Sequence, residues 1–334
     1  MQAWLLDKYG KKQPLRLAEV AEPALAADDV LVQVRAAGVN VLDAKIKHGE
    51  FKLLLPYKLP LVLGHDVAGT VLAIGARVTR FAPGDEVYAR PDDLRIGAFA
   101  ERIAVRESAL AKKPATLSME QAASLPLVGL TAWQALVDVA KLQAGEKVFI
   151  QSGSGGVGSI AIQLAKHLGA HVATTASAAN AAWLKDLGAD LVLDYKNDDI
   201  AALLHGYDVV LHSQDTATLL KSLSVLRPGG RLVSLSGPPD PAFARAIGAP
   251  WLLRLAVRLL SARVRRLARQ RQVRYDFLFM QADGAQLKQL AALVDAGVIR
   301  PVIDSVFPFA RTPEALAYVE TGHAKGKVIV GGHP

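Results

Sequence analysis

A glycine-rich segment is the part of the sequence best suited to binding chemistry. Residues 147–165 read KVFIQSGSGGVGSIAIQLA, an apolar run typical of a buried parallel strand, glycines at G-x-G-x-x-G spacing, and an apolar helical pattern. Such glycines allow a tight turn and close approach to a pyrophosphate, while the helix N-terminus offers free N–H groups and a partial positive charge. The strand–helix context favours a dinucleotide-binding loop over a glycine turn without a ligand. The predicted cofactor-binding residues of this loop are Gly153, Ser154, Gly155, Gly156, Val157 and Gly158.

The next predicted strand, His171–Thr175, indicates which dinucleotide binds. Enzymes that use NAD place an acidic residue at the end of this strand for the ribose 2′-hydroxyl, but the first acid here is Asp186. A carboxylate would repel a 2′-phosphate by about 4 kcal/mol at ~4 Å and an effective dielectric constant of ~20, so its absence favours NADP(H). The alternative is that the polar residues nearby are ordinary loop residues. The candidate phosphate ligands are Thr175, Ser177 and Asn180, with Tyr195 or Lys196 from the next strand end.

The composition is that of a two-domain α/β enzyme. The chain has 334 residues, of which 51% are hydrophobic, and 27 glycines. The absence of cysteine excludes disulfide bonds and thiolate chemistry, and no apolar run approaches the ~18 residues that a membrane span needs. The N-terminal residues lack the layout of a signal peptide, so we expect a cytoplasmic protein.

The pattern of predicted elements changes along the chain. Short β-like runs separated by turns predict a partly closed antiparallel barrel in residues 1–122, formed by Val30–Val34, Val67–Ile74, Glu86–Ala89 and Phe99–Val105. Residues 123–283 alternate helix and strand, which predicts a doubly wound parallel sheet. Its candidate strands are Val148–Gln151, His171–Thr175, Leu191–Leu193, Val209–Leu211, Arg231–Leu235 and Phe277–Met280. Residues 284–334, which include a predicted helix and final strand, are expected to complete the first domain.

Several motifs resemble those of one enzyme superfamily over nearly the whole chain. They are Ala37–Asp43, Leu63–Val71, Pro83–Val87, Ala123–Leu127 with Gly129–Ala132, the glycine loop, and Gly326–Val330. Together they resemble the medium-chain dehydrogenase/reductase superfamily, most closely its zinc-independent quinone oxidoreductases and NADPH-dependent alkenal (enone) reductases. The segments Asn40–Phe51, Gly237–Pro239 and Glu320–Ala324 fit the enone-reductase branch best. The resemblance implies a GroES-like barrel as the catalytic domain and a Rossmann domain for the cofactor.

The zinc site of the alcohol dehydrogenases in this superfamily is not reproduced. Those enzymes carry a cysteine ligand, a Gly-His-Glu motif and a four-cysteine lobe, whereas this chain has His65 followed by Asp66 and no cysteine. A catalytic zinc needs three protein ligands, which one histidine and one adjacent aspartate do not supply. The sequence therefore predicts no metal, with His65 as a hydrogen-bonded structural residue.

Without a metal, another group must stabilise the negative charge that hydride transfer places on an enone oxygen. The resemblance assigns this role to Lys45, since the enone reductases have a lysine at the matching position; a solvated lysine on a helix face, like its neighbours Lys47 and Lys52, is the alternative. Asn40 is a candidate donor to the same oxygen, and Tyr57 or water is the candidate proton source. The predicted reaction is NADPH-dependent reduction of a conjugated carbonyl or a quinone.

The resemblance also implies further contacts. Residues expected near the cofactor are Thr131, Gly237, Phe277, Leu278, Phe279 and Lys327. His212–Asp215 departs from the Asp and small residues with which relatives usually end the fourth strand, so the pocket wall is expected to differ there. Since relatives commonly dimerise through the sheet-edge strand, here Phe277–Met280, a homodimer is expected.

A basic segment leaves a second functional class open. The net charge of +8 is compatible with an NADPH-binding, non-catalytic protein that contacts nucleic acid or a membrane surface, although no aromatic–basic platform for nucleic acid is visible. Trp251–Arg274 contains eight arginines and no acid, and predicts one amphipathic helix with Leu252, Leu255 and Leu259 on its apolar face and Ser261 on its polar face. It is either a cap packed on the cofactor domain or a weak contact for an anionic membrane surface.

Overall fold

The computed structural model describes residues 1–52 and 54–333 and divides into two compact units. Unit 1 comprises Met1–Leu130 and Gln281–Pro334, and unit 2 comprises Thr131–Met280. In chain order the strands are β1 (Gln2–Leu6), β2 (Arg16–Glu19), β3 (Asp29–Val39), β4 (Leu61–Val62), β5 (Asp66–Ile74), β6 (Glu86–Ala89), β7 (Arg102–Arg106), β8 (Leu110–Lys112), β9 (Lys147–Ile150), β10 (His171–Ala176), β11 (Leu191–Asp194), β12 (Tyr207–His212), β13 (Leu226–Ser234), β14 (Arg274–Phe277), β15 (Ile303–Pro308) and β16 (Lys327–Gly331). The helices are α1 (Val41–His48), α2 (Met119–Ala123), α3 (Pro126–Trp133), α4 (Gly156–His167), α5 (Ala181–Asp186), α6 (Ile200–Leu203), α7 (Thr216–Val225), α8 (Pro241–Ala246), α9 (Trp251–Leu260), α10 (Ala262–Gln270), α11 (Gly284–Asp295) and α12 (Thr312–Glu320).

Unit 2 is built on one parallel sheet of six strands in the order β11-β10-β9-β12-β13-β14. The strand order therefore runs outward in opposite directions from the central pair β9 and β12, which is the arrangement of a dinucleotide-binding Rossmann fold. β12 is buried along its whole length because it lies in the middle of the sheet. The predicted fold class is confirmed for this unit.

Unit 1 contains a largely antiparallel sheet with the path β15-β16-β3-β5-β6-β8, in which β7 also pairs with β3, and a smaller sheet β2-β1-β4. The C-terminal strand β16 pairs with the N-terminal strand β3, with Val328 opposite Val39. This pairing brings the end of the chain back to the first part of the unit. The antiparallel sheet predicted for the first part of the chain is confirmed.

Two sequence predictions about element boundaries are wrong. The sheet-edge strand is Arg274–Phe277 rather than Phe277–Met280, because Arg274 is already in register with Arg231 of β13. The barrel strand predicted at Phe99–Val105 is Arg102–Arg106, where β7 pairs with β3. Apolar composition extends beyond each pairing and therefore does not mark where the hydrogen-bonded strand begins.

The single helix predicted over Trp251–Arg274 is also wrong, because two helices occupy this segment. They meet at Ser261, whose hydroxyl donates to the Val257 carbonyl oxygen at 2.8 Å and accepts from Arg265 Nε at 3.2 Å. A serine that bonds back to the carbonyl four residues earlier bends a helix. Ser261, predicted on the polar face, is fully buried instead. None of the helices in residues 1–52 and 54–333 combines the length and the apolar composition that a membrane span needs.

Candidate functional site

The glycine loop follows β9 and leads into α4. A Cβ atom on Gly153 would lie 2.3 Å from Thr174 Oγ1, and one on Gly158 would lie 2.3 Å from the Ser152 carbonyl oxygen. Both positions therefore require glycine for the loop to pack on β10 and on itself. The loop is fastened to the end of β10, since Gly153 N–H donates to the Thr175 carbonyl oxygen at 2.9 Å.

Gly155 has a different reason to be glycine. A Cβ atom there would meet only the Ser152 carbonyl oxygen, at 3.4 Å, so the protein itself leaves room for a side chain. Gly155 is the N-cap of α4 and has no side chain to cap the first turn, whose N–H groups keep their partial positive charge. Ser154, Gly156 and Val157 are partly exposed. This open cradle at a helix N-terminus fits the pyrophosphate of a dinucleotide.

The three polar residues predicted after β10 have different surroundings. Thr175 is buried, and its Oγ1 accepts from Ser152 N–H at 3.2 Å, so it supports the glycine loop. Asn180 is buried too, and its amide donates to Ser177 Oγ at 3.1 Å and accepts from Trp183 Nε1 at 3.1 Å. Ser177 is partly exposed. Of the three, Ser177 is the one with a side chain accessible to a ligand.

The end of β11 lies beside the end of β10. Tyr195 is exposed, and its N–H donates to the Ala176 carbonyl oxygen at 3.3 Å, while Lys196 Nζ lies 5.9 Å from the centre of its ring. Sequence reasoning missed Asp194, which is in register with Ala176. Its carboxylate accepts from Lys196 N–H and Asn197 Nδ2, so it is engaged within its own turn. The partly exposed Ser177 and the exposed Tyr195 and Lys196 thus follow the carboxyl ends of two adjacent parallel strands.

The unusual segment His212–Asp215 supports the glycine loop. Gln214 Nε2 donates to Ser152 Oγ at 2.8 Å, and Asp215 caps α7 through Thr218 N–H. His212 is fully buried: its Nε2–H donates to the Asp215 carbonyl oxygen at 3.0 Å and its Nδ1 accepts from Ser234 Oγ at 2.8 Å. Burial lowers the pKa of His212, which keeps the ring neutral. The only sequence signal for the contact between Gln214 and Ser152 was that His212–Asp215 departs from the usual end of the fourth strand.

The turn after β13 has no room for a side chain at Gly237. A Cβ atom there would lie 2.6 Å from Ser234 Oγ and 2.7 Å from the Tyr275 hydroxyl oxygen. The residues predicted to contact the cofactor at the end of β14 begin with its last residue, Phe277, whose N–H donates to Asp240 Oδ2 at 3.1 Å. Phe277, Leu278 and Phe279 are partly buried, and Thr131 at the other limit of unit 2 is buried.

A buried polar network in unit 1 contains His65 and Asp66, the second of which departs from the Gly-His-Glu motif. Asp43, in the first turn of α1, accepts from His65 Nδ1 at 2.6 Å, Asn40 N–H at 2.9 Å and Gly64 N–H at 3.1 Å. Both Asp43 and His65 are fully buried. His65 is therefore hydrogen-bonded as expected, with its Nε2 atom lacking a partner within residues 1–52 and 54–333.

Lys327 enters this network from the other end of the chain. Its ammonium donates to Asn40 Oδ1 at 2.5 Å and to Asp66 Oδ2 at 2.9 Å, and Asn40 Nδ2 donates to the same Asp66 oxygen at 2.9 Å. The other Asp66 oxygen accepts from Leu127 N–H at 2.7 Å. Lys327, which sequence reasoning placed at the cofactor, thus already has a carboxylate and an amide as acceptors.

This donor set does not fit a catalytic zinc. The Asp66 carboxylate is paired with the Lys327 ammonium, Asn40 Oδ1 accepts from the same ammonium, and His65 offers a single free ring nitrogen, Nε2. An ammonium within the site repels a cation and competes for the carboxylate. Within the described part of the chain, no group of three or more His, Cys, Asp or Glu side chains could hold a metal ion.

The two neighbouring lysines of α1 differ. Lys47, interpreted from sequence as solvated, is buried and forms an ion pair with Glu320 at 2.7 Å. Lys45 is partly buried, and its side chain has neither an ion pair nor a hydrogen bond to any described residue. Lys45 is therefore a cation available to an anionic partner, and Lys47 is a structural one.

Tyr57 also carries an unsatisfied polar atom. The residue is buried, and its hydroxyl has no hydrogen-bond partner in the described ranges. Burial raises the pKa of the phenol, so it stays protonated and able to donate. A buried donor without an acceptor is costly, which is typical of functional positions.

Comparisons with known proteins agree with this fold. Residues 26–115 match the family model described as alcohol dehydrogenase GroES-like domain, and residues 187–330 match the one described as zinc-binding dehydrogenase. A mitochondrial NAD(P)H oxidoreductase of Danio rerio is 36% identical over 99% of this chain and 91% of its own. The chloroplastic NADPH-dependent alkenal/one oxidoreductase of Arabidopsis thaliana is 36% identical over 99% of this chain and 79% of its own. A solved quinone oxidoreductase of Coxiella burnetii has a TM-score of 0.86 at 31% identity, with 99% of both chains covered.

A Rossmann unit with a dinucleotide loop and a GroES-like unit define a nicotinamide-dependent oxidoreductase. The chain belongs to the medium-chain dehydrogenase/reductase superfamily, in the group of quinone oxidoreductases and alkenal/one reductases. The prediction of an enzyme is confirmed, and its cofactor is a nicotinamide dinucleotide.

Proposed function

We propose that this enzyme uses NADPH to reduce the C=C bond of α,β-unsaturated carbonyl compounds, without a metal. The observation that carries the proposal is Lys45, a partly buried cation without a partner among the described residues, in the helix that begins at the zinc-incompatible network. The name of the Arabidopsis thaliana relative supports the substrate class. Quinones, named for the Coxiella burnetii relative, form the second acceptor class.

The cofactor, when bound, supplies the hydride. We assign its pyrophosphate to the N–H groups of the glycine loop and the first turn of α4, as in other Rossmann folds. Hydride addition to the β-carbon of an enone leaves an enolate, whose negative oxygen the Lys45 ammonium stabilises. Asn40 Nδ2 donates to Asp66 Oδ2 at 2.9 Å and to the Gly38 carbonyl oxygen at 3.3 Å, so both of its hydrogens are used and Asn40 positions the network instead of donating to this oxygen. The proton for the α-carbon comes from Tyr57 or from water.

Lys45 and Lys47 provide a matched pair for testing this assignment. Lys45→Ala should lower turnover of a small enone by roughly a hundredfold with nearly unchanged NADPH affinity, because the lost charge stabilises only the transition state. Lys47→Ala removes the ion pair with Glu320 and should lower stability with turnover retained in the folded protein. Steady-state NADPH oxidation and a denaturant titration measure both effects. Full turnover in Lys45→Ala would show that Lys45 does not stabilise the enolate.

We also propose a preference for NADPH over NADH. Its support is Ser177, with the Lys196 cation and Tyr195 at the adjacent strand end, where the Asp194 carboxylate accepts from Lys196 N–H and Asn197 Nδ2 within its own turn. NADPH should bind at least about tenfold more tightly, which corresponds to ~1.4 kcal/mol. Ser177→Asp should shift the preference towards NADH, whereas Ser177→Ala should weaken NADPH binding only modestly. Equal dissociation constants for the two cofactors in the unmodified enzyme would contradict the proposal.

For the quaternary structure, we propose a homodimer formed through β14. β14 is an edge strand, and an edge presents unpaired N–H and C=O groups that a second copy could continue. Sedimentation velocity should give the mass of a dimer. A monomer at micromolar concentration would rule this out.

A further inference from the structure

Helix α9 exposes most of its apolar side chains. It packs on unit 2 through Val257 and the partly buried Leu253, against Ala244 and Ala249. The remaining large side chains of the helix lie in solvent, and Trp251 is 71% exposed. In the described ranges, fifteen large hydrophobic residues are exposed, and five of them lie in this ten-residue helix: Trp251, Leu252, Leu255, Leu259 and Leu260. Such clustering on one short element indicates a surface that contacts something.

Helix α10 exposes cations next to this apolar surface. It packs through Val264 and Ala268, which leaves Arg263, Arg266 and Arg269, three residues apart, on its exposed side. Of the eight arginines in residues 251–274, only Arg274 is ion-paired with a carboxylate within the part of the chain that the structure describes. The positive charge of this segment is therefore not neutralised by the protein.

We propose that α9 and α10 form a docking surface for an anionic lipid bilayer, with the exposed side chains of α9 in the interface and the arginines of α10 at the headgroups. An exposed tryptophan–leucine face with many arginines is the composition of helices that lie in a membrane interface. At ten residues α9 is about 15 Å long, half of the ~30 Å hydrocarbon thickness, so it lies on the bilayer and does not cross it.

The positive charge of this surface favours an anionic bilayer over a second copy of the chain as the partner that covers it. A two-fold dimer through the same surface would bring two copies of this segment together, and residues 251–274 contain no acidic residue that could pair with the arginines. Like charges face each other unfavourably across such an interface, whereas anionic headgroups attract each nearby arginine. A nucleic acid would use the arginines and leave the four exposed leucines unexplained. The inference does not depend on the substrate of the enzyme.

Co-sedimentation of the full chain with vesicles tests the proposal. Vesicles of phosphatidylcholine mixed with phosphatidylglycerol should bind at least about tenfold more protein than phosphatidylcholine alone at low salt. Binding should weaken with added salt, since the Debye length falls from about 30 Å at 0.01 M to about 3 Å at 1 M. Trp251 should report the contact through a blue shift of emission that is lost in Trp251→Phe, because Trp4, Trp133 and Trp183 are not exposed.

Matched variants separate the surface from general charge and hydrophobicity. Leu255→Gln with Leu259→Gln should weaken binding about tenfold or more, and Leu203→Gln, an exposed leucine of α6, should not. The double variant Arg263→Gln/Arg266→Gln should also weaken binding about tenfold or more. The double variant Lys185→Gln/Lys221→Gln, at two exposed lysines, should leave binding unchanged. All of these side chains are exposed, so the variants should unfold at the same denaturant concentration as the parent protein.

Four results would overturn the proposal. The first is no binding to anionic vesicles at low salt, and the second is equal binding to neutral ones. The third is equal loss of binding in the lysine pair and the arginine pair. The fourth is a dimer that dissociates on Leu255→Gln with Leu259→Gln, which would show that a second copy covers the surface.

Discussion

Replacing Lys327 by methionine should destabilise the fold rather than release the cofactor. The Lys327 ammonium lies 2.9 Å from Asp66, and both residues are buried. At an effective dielectric constant of ~20, this attraction is about 6 kcal/mol, and part of it offsets the desolvation of the two charges. Lys327→Met retains most of the side-chain stem but leaves the Asp66 carboxylate without a counter-charge. The free energy of unfolding should therefore fall by about 3–5 kcal/mol.

A double-mutant cycle isolates the pair. Asp66→Asn removes the charge at constant shape, so the Lys327→Met/Asp66→Asn protein should lose about 1–3 kcal/mol less than the sum of the single losses. Lys325→Met, at an exposed lysine two residues away, serves as the control and should stay within about 0.5 kcal/mol of the parent protein. Urea titrations at neutral pH measure the four proteins of the cycle and the Lys325→Met control. Additive losses, or a stable Lys327→Met protein with weakened NADPH binding, would refute the placement of Lys327 on Asp66.

Two further predictions concern the glycine loop and the C-terminus. Gly155→Ala should leave stability nearly unchanged and weaken NADPH binding by about tenfold or more, because its methyl group has room in the protein but occupies the cradle. Gly158→Ala should in addition destabilise the fold, since its methyl group would meet the Ser152 carbonyl oxygen. Isothermal titration measures NADPH binding and urea titration measures stability. Equal losses of stability in the two variants would contradict the cradle. Burial lowers the pKa of His333 from 6.5 to about 4, so the unfolded chain takes up a proton first as the pH falls. His333 should therefore contribute a fall of about 3 kcal/mol in the free energy of unfolding between ~pH 6.5 and pH 4, and His333→Gln should reduce the slope by that amount; an unchanged slope would contradict it.

The sequence predicts the parts of the fold that depend on local pattern. The glycine loop is recognisable because three glycines lie between one strand and one helix, and each has a steric or ligand-related reason to be there. The fold class follows from the alternation of strands and helices. The exact edge strand does not, because Arg274–Phe277 is selected by pairing with β13 and not by apolar composition.

Long-range contacts account for what the sequence did not predict. Lys327 is 261 positions from Asp66, and nothing local indicates that its ammonium is paired. Lys47 and Lys45 look alike in sequence, yet only Lys47 contacts Glu320. The buried side of α9 is likewise fixed by Ala244 and Ala249, so helical periodicity identified an apolar face that the structure leaves exposed.

The position of hydride delivery tests the central proposal most directly. A small acyclic enone is incubated with the enzyme and NADPH that carries deuterium in the transferable position at C4 of the nicotinamide, and the product is examined by NMR and mass spectrometry. We predict a saturated ketone with deuterium on the β-carbon and a solvent-derived proton on the α-carbon, at a rate unaffected by prior dialysis against a chelator. An allylic alcohol with deuterium on the former carbonyl carbon, or activity lost with the chelator, would contradict metal-free C=C reduction.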